Sequence, residues 1–168
     1  LKFPKKEKEV KNIEDEEFED WGDEELSNEE NYWFTKDKID LITSVHNYLD
    51  SLPQIGKVLS FSSIIEVATQ LNNSKPLGTL EMGVLYSKIP DSIKTEIIDP
   101  YLSIGNNEAR ISLRIVDSQE NLRRNDLIKK INFDLKDKIG LKESEFKLTG
   151  VLILFNNLLQ SLFKSQIL

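Results

Sequence analysis

The chain has 168 residues and a formal net charge of −7, with no cysteine and a single histidine, His46. These counts exclude disulfides, thiolate metal sites, cysteine catalysis and a histidine-based metal cluster. The acidity is local, because residues 7–31 hold 13 of the 29 acidic residues and the remainder has a net charge of +4. The chain lacks the basic patch with interleaved aromatic residues that is typical of nucleic acid binding. No apolar run approaches the ~18 residues of a membrane span.

The beginning of the chain predicts a strand, a helix and a second strand. Residues 1–4 are interpreted as the end of a strand that a proline terminates, and Lys57–Phe61 as a short strand. Between them, Thr35 is the predicted N-cap of a helix that Pro53 stops. His46 lies beside the apolar face of this helix and is interpreted as a boundary residue, not as a proton carrier. The apolar face consists of Ile39, Ile42, Val45, Leu49 and Leu52.

An acidic run separates the first strand from this helix. Like charges repel and apolar residues are few in residues 5–31, so the run is predicted to be a mobile, solvated insertion. The alternative is a loop that attracts cations or binds a partner. The spacing of its acidic residues does not follow the EF-hand pattern.

The middle of the chain predicts a helical insertion over residues 62–98. Ser63 and Glu66 have capping-box spacing at the start of its first helix. Residues 77–89 predict a second helix, and Pro90 opens a further short turn or helix.

A second strand–helix–strand unit has the clearest pattern in the sequence. A tight turn is predicted at residues 105–107, and alternation over 107–116 then predicts a strand with one apolar face. Helical spacing predicts a helix over 123–139, with Gly140 as its C-terminal stop, and residues 144–150 alternate again as a last strand. The apolar residues of this helix are Leu127, Ile128, Ile131, Leu135 and Ile139.

Two split βαβ units predict an α+β, ferredoxin-like sandwich with a helical insertion between its halves. The length favours a single domain over residues 1–168. Residues 151–168 predict a C-terminal helix, interpreted either as a packed helix or as one leading toward a missing membrane span. Neither end of the sequence resembles a natural terminus, so we expect the chain to be a piece of a longer protein.

The sequence contains no phosphate-binding loop, dinucleotide fingerprint, zinc-protease motif or nucleophile elbow. No enzymatic activity, cofactor or metal site is therefore predicted, and a small hydrolase is considered only on fold analogy. Asp134 and Asp137 are predicted on the wet face of a lysine-rich helix, solvated or paired with lysines. Arg110 and Arg114 project from one strand face, where they can hold an anion or simply face solvent.

Several stretches resemble one family in the same order. Residues 52–61 (LPQIGKVLSF) resemble the LP-x-[IV]-G-x-V-x-S-[LF] segment in extracytoplasmic loops of the resistance-nodulation-division (RND) superfamily, particularly its MMPL-like exporters. Residues 89–91 (IPD), 101–103 (YLS) and 107–111 (NEARI) are similar to their LP…L(V)S-x-(D)G-x-x-A-R-I stretch. Residues 148–150 (LTG) resemble the V-T-G that precedes re-entry into the membrane.

The resemblance runs from about Thr35 to the end and implies a porter-type domain on the extracytoplasmic (periplasmic) face of the cytoplasmic membrane. It implies a proton-driven exporter whose proton-relay residues lie in membrane helices outside this chain. The implied partners are hydrophobic or lipid-like small molecules and the membrane domain of the same parent chain, through which the protein can oligomerise. The acidic run 7–31 departs from the family pattern.

A cleft between the 62–98 helices and the sheet is the predicted contact surface for cargo. Phe61, Met82 and Leu85 are its candidate ligand-binding residues, and each has the alternative interpretation of a plain core residue. The rival function is a stand-alone ferredoxin-like ligand-binding or sensor domain that dimerises through its sheet.

Overall fold

The computed structural model describes residues 1–3, 33–116 and 123–166. The predicted acidic insertion at 5–31 lies outside these residues. The described part is mixed α+β, with two small antiparallel sheets. Its helices are α1 (Lys36–Asp50), α2 (Phe61–Leu71), α3 (Thr79–Lys88), α4 (Asp91–Ile93, continued by a π-helical turn over Lys94–Ile98), α5 (Arg124–Asp137) and α6 (Val151–Gln166), and its strands are β1 (Ile55–Leu59), β2 (Leu102–Ser103), β3 (Glu108–Ala109) and β4 (Ser112–Ile115).

The first sheet pairs β1 with β4 in antiparallel register, with Val58 opposite Leu113. A register shift, of the kind that a β-bulge produces, lies between Ile55 and Lys57. A Cβ atom on Gly56 would lie 2.9 Å from Cγ2 of Val116, so the close approach requires glycine at this position.

The second sheet pairs β2 with β3 across the predicted tight turn. The amide of Asn107 donates to the carbonyl of Ile104 at 3.0 Å, and Asn107 itself has a φ of +55°. Asparagine tolerates this left-handed conformation better than most residues. The turn predicted at residues 105–107 is thereby confirmed. Lys2 forms an antiparallel bridge with Glu108 at the other side of β3.

Two predicted strands differ from the structure. The stretch 107–116 is not one continuous strand, because β3 ends at Ala109 and β4 begins at Ser112. At the break, the amide of Arg110 donates to the carbonyl of Tyr101 at 2.8 Å. The prediction of a strand over 144–150 is also wrong: residues 143–145 form a turn, and residues 146–149 belong to no strand.

The start of α2 also differs from its prediction. Ser60, not Ser63, is the N-cap, and its hydroxyl accepts a hydrogen bond from the amide of Ser62 at 3.1 Å. Ser63 completes the capping box, since its hydroxyl accepts from the amide of Ser60 at 3.4 Å. The helix therefore begins at Phe61, the residue that was predicted to end the preceding strand.

The helix predictions for α1 and α5 are confirmed to within a few residues. Thr35 is the N-cap of α1 in extended conformation, although its side chain makes no capping hydrogen bond. Gly140 has a φ of +80° just beyond α5, the left-handed conformation that commonly ends a helix. Both helices bury their apolar faces, and each fully buried aliphatic side chain contributes roughly 1.5–3 kcal/mol.

Two clusters of buried residues form the interior, and α1 contributes to both. The aromatic core joins the start of the chain, α1, α2 and α3, and the aliphatic core joins the end of α1, β1 and α5. The aromatic core consists of Phe3, Trp33, Phe34, Ile39, Ile42, Phe61, Met82, Ile98, Leu102 and Ala109. The aliphatic core consists of Val45, Leu49, Leu52, Ile55, Val58, Leu127, Ile131, Leu135 and Leu141.

Candidate functional site

The three predicted cargo residues do not share one environment. Phe61 and Met82 are both buried in the aromatic core, where the Phe61 ring lies 5.7 Å from that of Phe34 between centroids. Leu85 lies on α3 with 42% of its surface exposed. The structure thus brings Phe61 and Met82 together as packing residues and leaves Leu85 at the surface. Their role in binding cargo stays a prediction.

The aromatic core continues from these residues toward the first residues of the chain. The rings of Phe3, Trp33 and Phe34 follow one another edge to face at 5.7 and 5.5 Å, a favoured geometry for aromatic pairs. The ammonium group of Lys38 lies 4.6 Å from the centre of the Trp33 ring, and the same group donates to the side chain of Asn107 at 2.8 Å. These contacts fasten the N-terminal residues to α1 and to the β2–β3 turn.

His46 has a structural partner, as its prediction as a boundary residue allows. Its Nδ1 lies 2.9 Å from the hydroxyl of Ser60. Ser60 is completely buried and already serves as the N-cap of α2. The pair therefore ties α1 to the β1–α2 junction.

The prediction that Asp134 lies on a wet face is wrong, although the predicted alternative of a lysine partner is confirmed. Asp134 is 4% exposed, and its Oδ2 accepts hydrogen bonds from the Tyr48 phenol at 2.7 Å and from Lys138, whose ammonium lies at 3.1 Å. The hydrogen bonds from the Tyr48 phenol and from Lys138 hold the pKa of Asp134 below its usual range. The pKa of Tyr48 is raised, mainly by burial and secondly by its hydrogen bond to Asp134. Asp137 remains exposed.

We expect this arrangement to make stability depend on acid pH. A carboxyl group whose pKa is lower in the folded state contributes stability above its unfolded pKa of about 3.9, and this contribution is lost as the pH falls through the folded pKa. Asp134→Asn should therefore lower the urea midpoint at pH 7 and flatten its decline toward pH 3. The exposed Asp137→Asn is the matched control. Identical pH profiles for both variants would show that the Tyr48–Asp134 contact contributes nothing.

Helix α6 carries an exposed apolar surface that packing within the described part of the chain does not explain. Its apolar residues recur at intervals of three and four, which places them on one face of the helix. That face points outward, because each of its side chains is between 42 and 75% exposed. We call this face the α6 stripe; it consists of Val151, Leu154, Phe155, Leu158, Leu159, Leu162 and Phe163.

One edge of the α6 stripe forms a groove with the beginning of α5. The groove has a volume of about 690 Å³, and Arg123 and Arg124 line it together with Phe155 and Leu159 of the stripe. The side-chain amide of Asn156 donates to that of Asn125 at 3.4 Å across its floor. Both arginines are exposed. Asp126 also lines the groove, and its carboxylate lies 4.0 Å from the guanidinium of Arg123. The groove therefore combines apolar walls with two cationic side chains and one carboxylate.

The arginine pair was not singled out from the sequence. The sequence signal of the pair is two consecutive basic residues at the predicted start of a helix. Only the packing of α5 against α6 shows that they lie beside the α6 stripe. Arg110 and Arg114 are both exposed. The prediction that they share one strand face is wrong, because Arg110 lies at the break between β3 and β4 and only Arg114 is on a strand. Within the described ranges, no group of three or more acidic or histidine side chains can hold a metal ion, and no helix is long and apolar enough to cross a membrane.

Comparison with known proteins gives no relative for this chain: no protein family, curated protein or solved structure matches it.

Proposed function

We propose that this chain is the extracytoplasmic porter domain of a proton-driven, RND-like membrane exporter. It takes part in the binding or passage of hydrophobic or lipid-like cargo and has no catalytic role of its own. The domain belongs on the periplasmic face of the cytoplasmic membrane, where the membrane part of the same parent chain is its partner.

The observation that carries the proposal is the pairing of β1 with β4. Residues 52–61, one of the resembling stretches, supply β1, and β4 directly follows another of them, residues 107–111. The two strands pair from Ile55 opposite Ile115 to Leu59 opposite Ser112. One resembling stretch thus lies in a sheet with the strand into which another leads, as a shared architecture requires.

The ferredoxin-like arrangement belongs to the same proposal. Lys2 pairs antiparallel with Glu108, and β1 pairs antiparallel with β4, so the first residues and β1 flank the 107–115 stretch and run in the same direction. The amide of Lys2 also donates to the carbonyl of Glu145 at 2.7 Å, which puts the last segment next to the first. This order of four segments supports a split βαβ sandwich.

The covering helices support the same architecture. Val45 of α1 and Ile131 of α5 lie in one buried cluster with Val58 of β1, and the half-buried Leu113 packs against it. Side chains of a sheet alternate between its faces, and Lys57 and Arg114 are exposed. Two helices on one face of a sheet, with α2 to α4 between the halves, is the expected porter-type plan.

The rival function, a sensor that dimerises through its sheet, is disfavoured by charge. Lys57 lies opposite Arg114 in the register, and both are exposed on the outer face. A two-fold dimer brings the same patch of both copies together, so four cations would meet. Like charges in an interface oppose association.

The reading frame that encodes this chain tests the proposal. We expect apolar segments of about 18 residues or more, long enough to span a bilayer, within a few dozen residues of both Leu1 and the C-terminal residue. A reading frame without such segments on either side would overturn the exporter assignment and favour the stand-alone domain.

A further inference from the structure

We propose that the α6 stripe, together with Arg123 and Arg124, is a surface that binds a lipid bilayer with anionic headgroups. In this arrangement α6 lies in the plane of the bilayer with its stripe toward the acyl chains and the arginines at the headgroups. The inference does not depend on the exporter assignment, since it concerns contacts that this chain makes by itself.

The composition of α6 favours an interfacial position. The face opposite the stripe carries polar side chains beside the half-buried Ile153, and the helix from Val151 to Gln166 contains no acidic residue. A helix that spans a bilayer would have to place these polar side chains in hydrocarbon, whereas a helix lying in the interface keeps them in water. The exposed polar residues of this face are Asn157, Gln160, Ser161 and Lys164, whereas Asn156 is half-buried and bonds to Asn125.

The exposure of the stripe means that the described chain leaves it without a cover. A surface helix of a globular protein normally turns such a stripe toward the core, and contiguous exposed apolar surface marks an interaction site. Leu158 and Leu162, near the centre of the stripe, are 54 and 50% exposed. Water is therefore the least favourable neighbour for this face.

The positive charge near the α6 stripe favours an anionic bilayer as its binding partner. Residues 123–166 contain nine basic and five acidic residues, a net charge of +4, which is the whole positive excess of the chain outside the acidic run 7–31. Arg123 and Arg124 line the same groove as Phe155 of the stripe, so the cations adjoin the apolar surface. A second copy would bring two such basic regions together, whereas anionic headgroups attract them.

Vesicle binding by the 168-residue chain tests this inference. We expect sedimentation with vesicles of phosphatidylcholine and phosphatidylglycerol, weaker binding to phosphatidylcholine alone, and weakening as salt is raised. Arg123→Gln and Arg124→Gln should each reduce the affinity about fivefold, as expected for a basic residue at an anionic surface. These substitutions concern exposed side chains, so folding should be preserved.

A matched pair of double variants isolates the stripe. Leu158→Gln with Leu162→Gln places two glutamines on the stripe and should lower the affinity at least tenfold. Asn157→Gln with Ser161→Gln places two glutamines one position earlier, on the polar face, and should leave it unchanged. Circular dichroism confirms that both variants are folded.

Three results would overturn the inference. The first is that the chain fails to bind the mixed vesicles, and the second is that the two double variants bind equally. The third is that the unaltered chain dimerises in solution whereas the Leu158→Gln, Leu162→Gln variant is monomeric. The last result would assign the stripe to a second copy of the chain. None of these results bears on the flanking apolar segments, so the exporter assignment is tested separately.

Discussion

Replacing Phe34 by alanine is expected to lower the free energy of unfolding by about 3–5 kcal/mol, the usual cost of removing a buried phenylalanine ring. Phe34 is 1% exposed, and its ring lies 5.1–5.7 Å from the rings of Trp33, Phe61 and Tyr86 between centroids. Deleting it leaves a cavity among stiff aromatic neighbours that cannot readily collapse. Small domains have a total stability of about 5–15 kcal/mol, so the variant is expected to lose a large part of its stability.

Urea denaturation followed by tryptophan fluorescence measures this loss. Phe34→Leu is the control, because it keeps most of the apolar volume, and about 1–1.5 kcal/mol is expected for such a substitution. If Phe34→Ala were no less stable than Phe34→Leu, the ring would not be packed at the centre of the aromatic core.

Leu135→Ala is expected to cost about 2–5 kcal/mol by the same mechanism. Leu135 is 3% exposed and belongs to the aliphatic core, in which α5 meets α1 and β1. The variant therefore tests whether α5 covers the sheet, on which the proposed architecture depends. Thermal unfolding by circular dichroism supplies the measurement.

A control lies on the same helix. Phe133 is a larger apolar residue but is 63% exposed, so Phe133→Ala should change stability by no more than about 0.5 kcal/mol, as for other surface substitutions. The reverse order, with Phe133→Ala the more damaging change, would mean that α5 packs through its other face.

The parts of the fold that sequence reasoning predicted are those with local causes. Periodicity alone located α1 and α5, and Gly140 marked the end of α5 because a left-handed residue commonly terminates a helix. The turn at 105–107 was likewise local, since glycine and asparagine tolerate positive φ.

The errors arose where distant residues decide the outcome. Asp134 was predicted on the wet face, solvated or paired with a lysine, because its helical neighbours are charged. The lysine partner is local, but the hydrogen-bond donor Tyr48 is 86 positions away. The alternation around Phe146 predicted a strand, yet a strand needs a partner along its length. Among residues 1–3, which the structure describes, the contact with this stretch is the hydrogen bond from the amide of Lys2 to the carbonyl of Glu145.

The candidate surfaces show the same division. The apolar spacing of α6 was visible in the sequence, but whether the stripe points inward or outward depends on the packing of α5 and α6. Phe61 and Met82 were named from their position in the chain, and burial in the aromatic core distinguishes them from the exposed Leu85.

The most direct test of the central claim is the side of the membrane on which this domain lies in the protein that carries it. The chain contains no cysteine, and Lys57 is exposed on β1, so Lys57→Cys introduces one accessible thiol here. The unaltered parent protein controls for thiols elsewhere. We predict that, in intact cells, a maleimide unable to cross the cytoplasmic membrane labels the Lys57→Cys variant. Labelling only after the cells are lysed would place the domain in the cytoplasm and contradict its assignment as an extracytoplasmic porter domain.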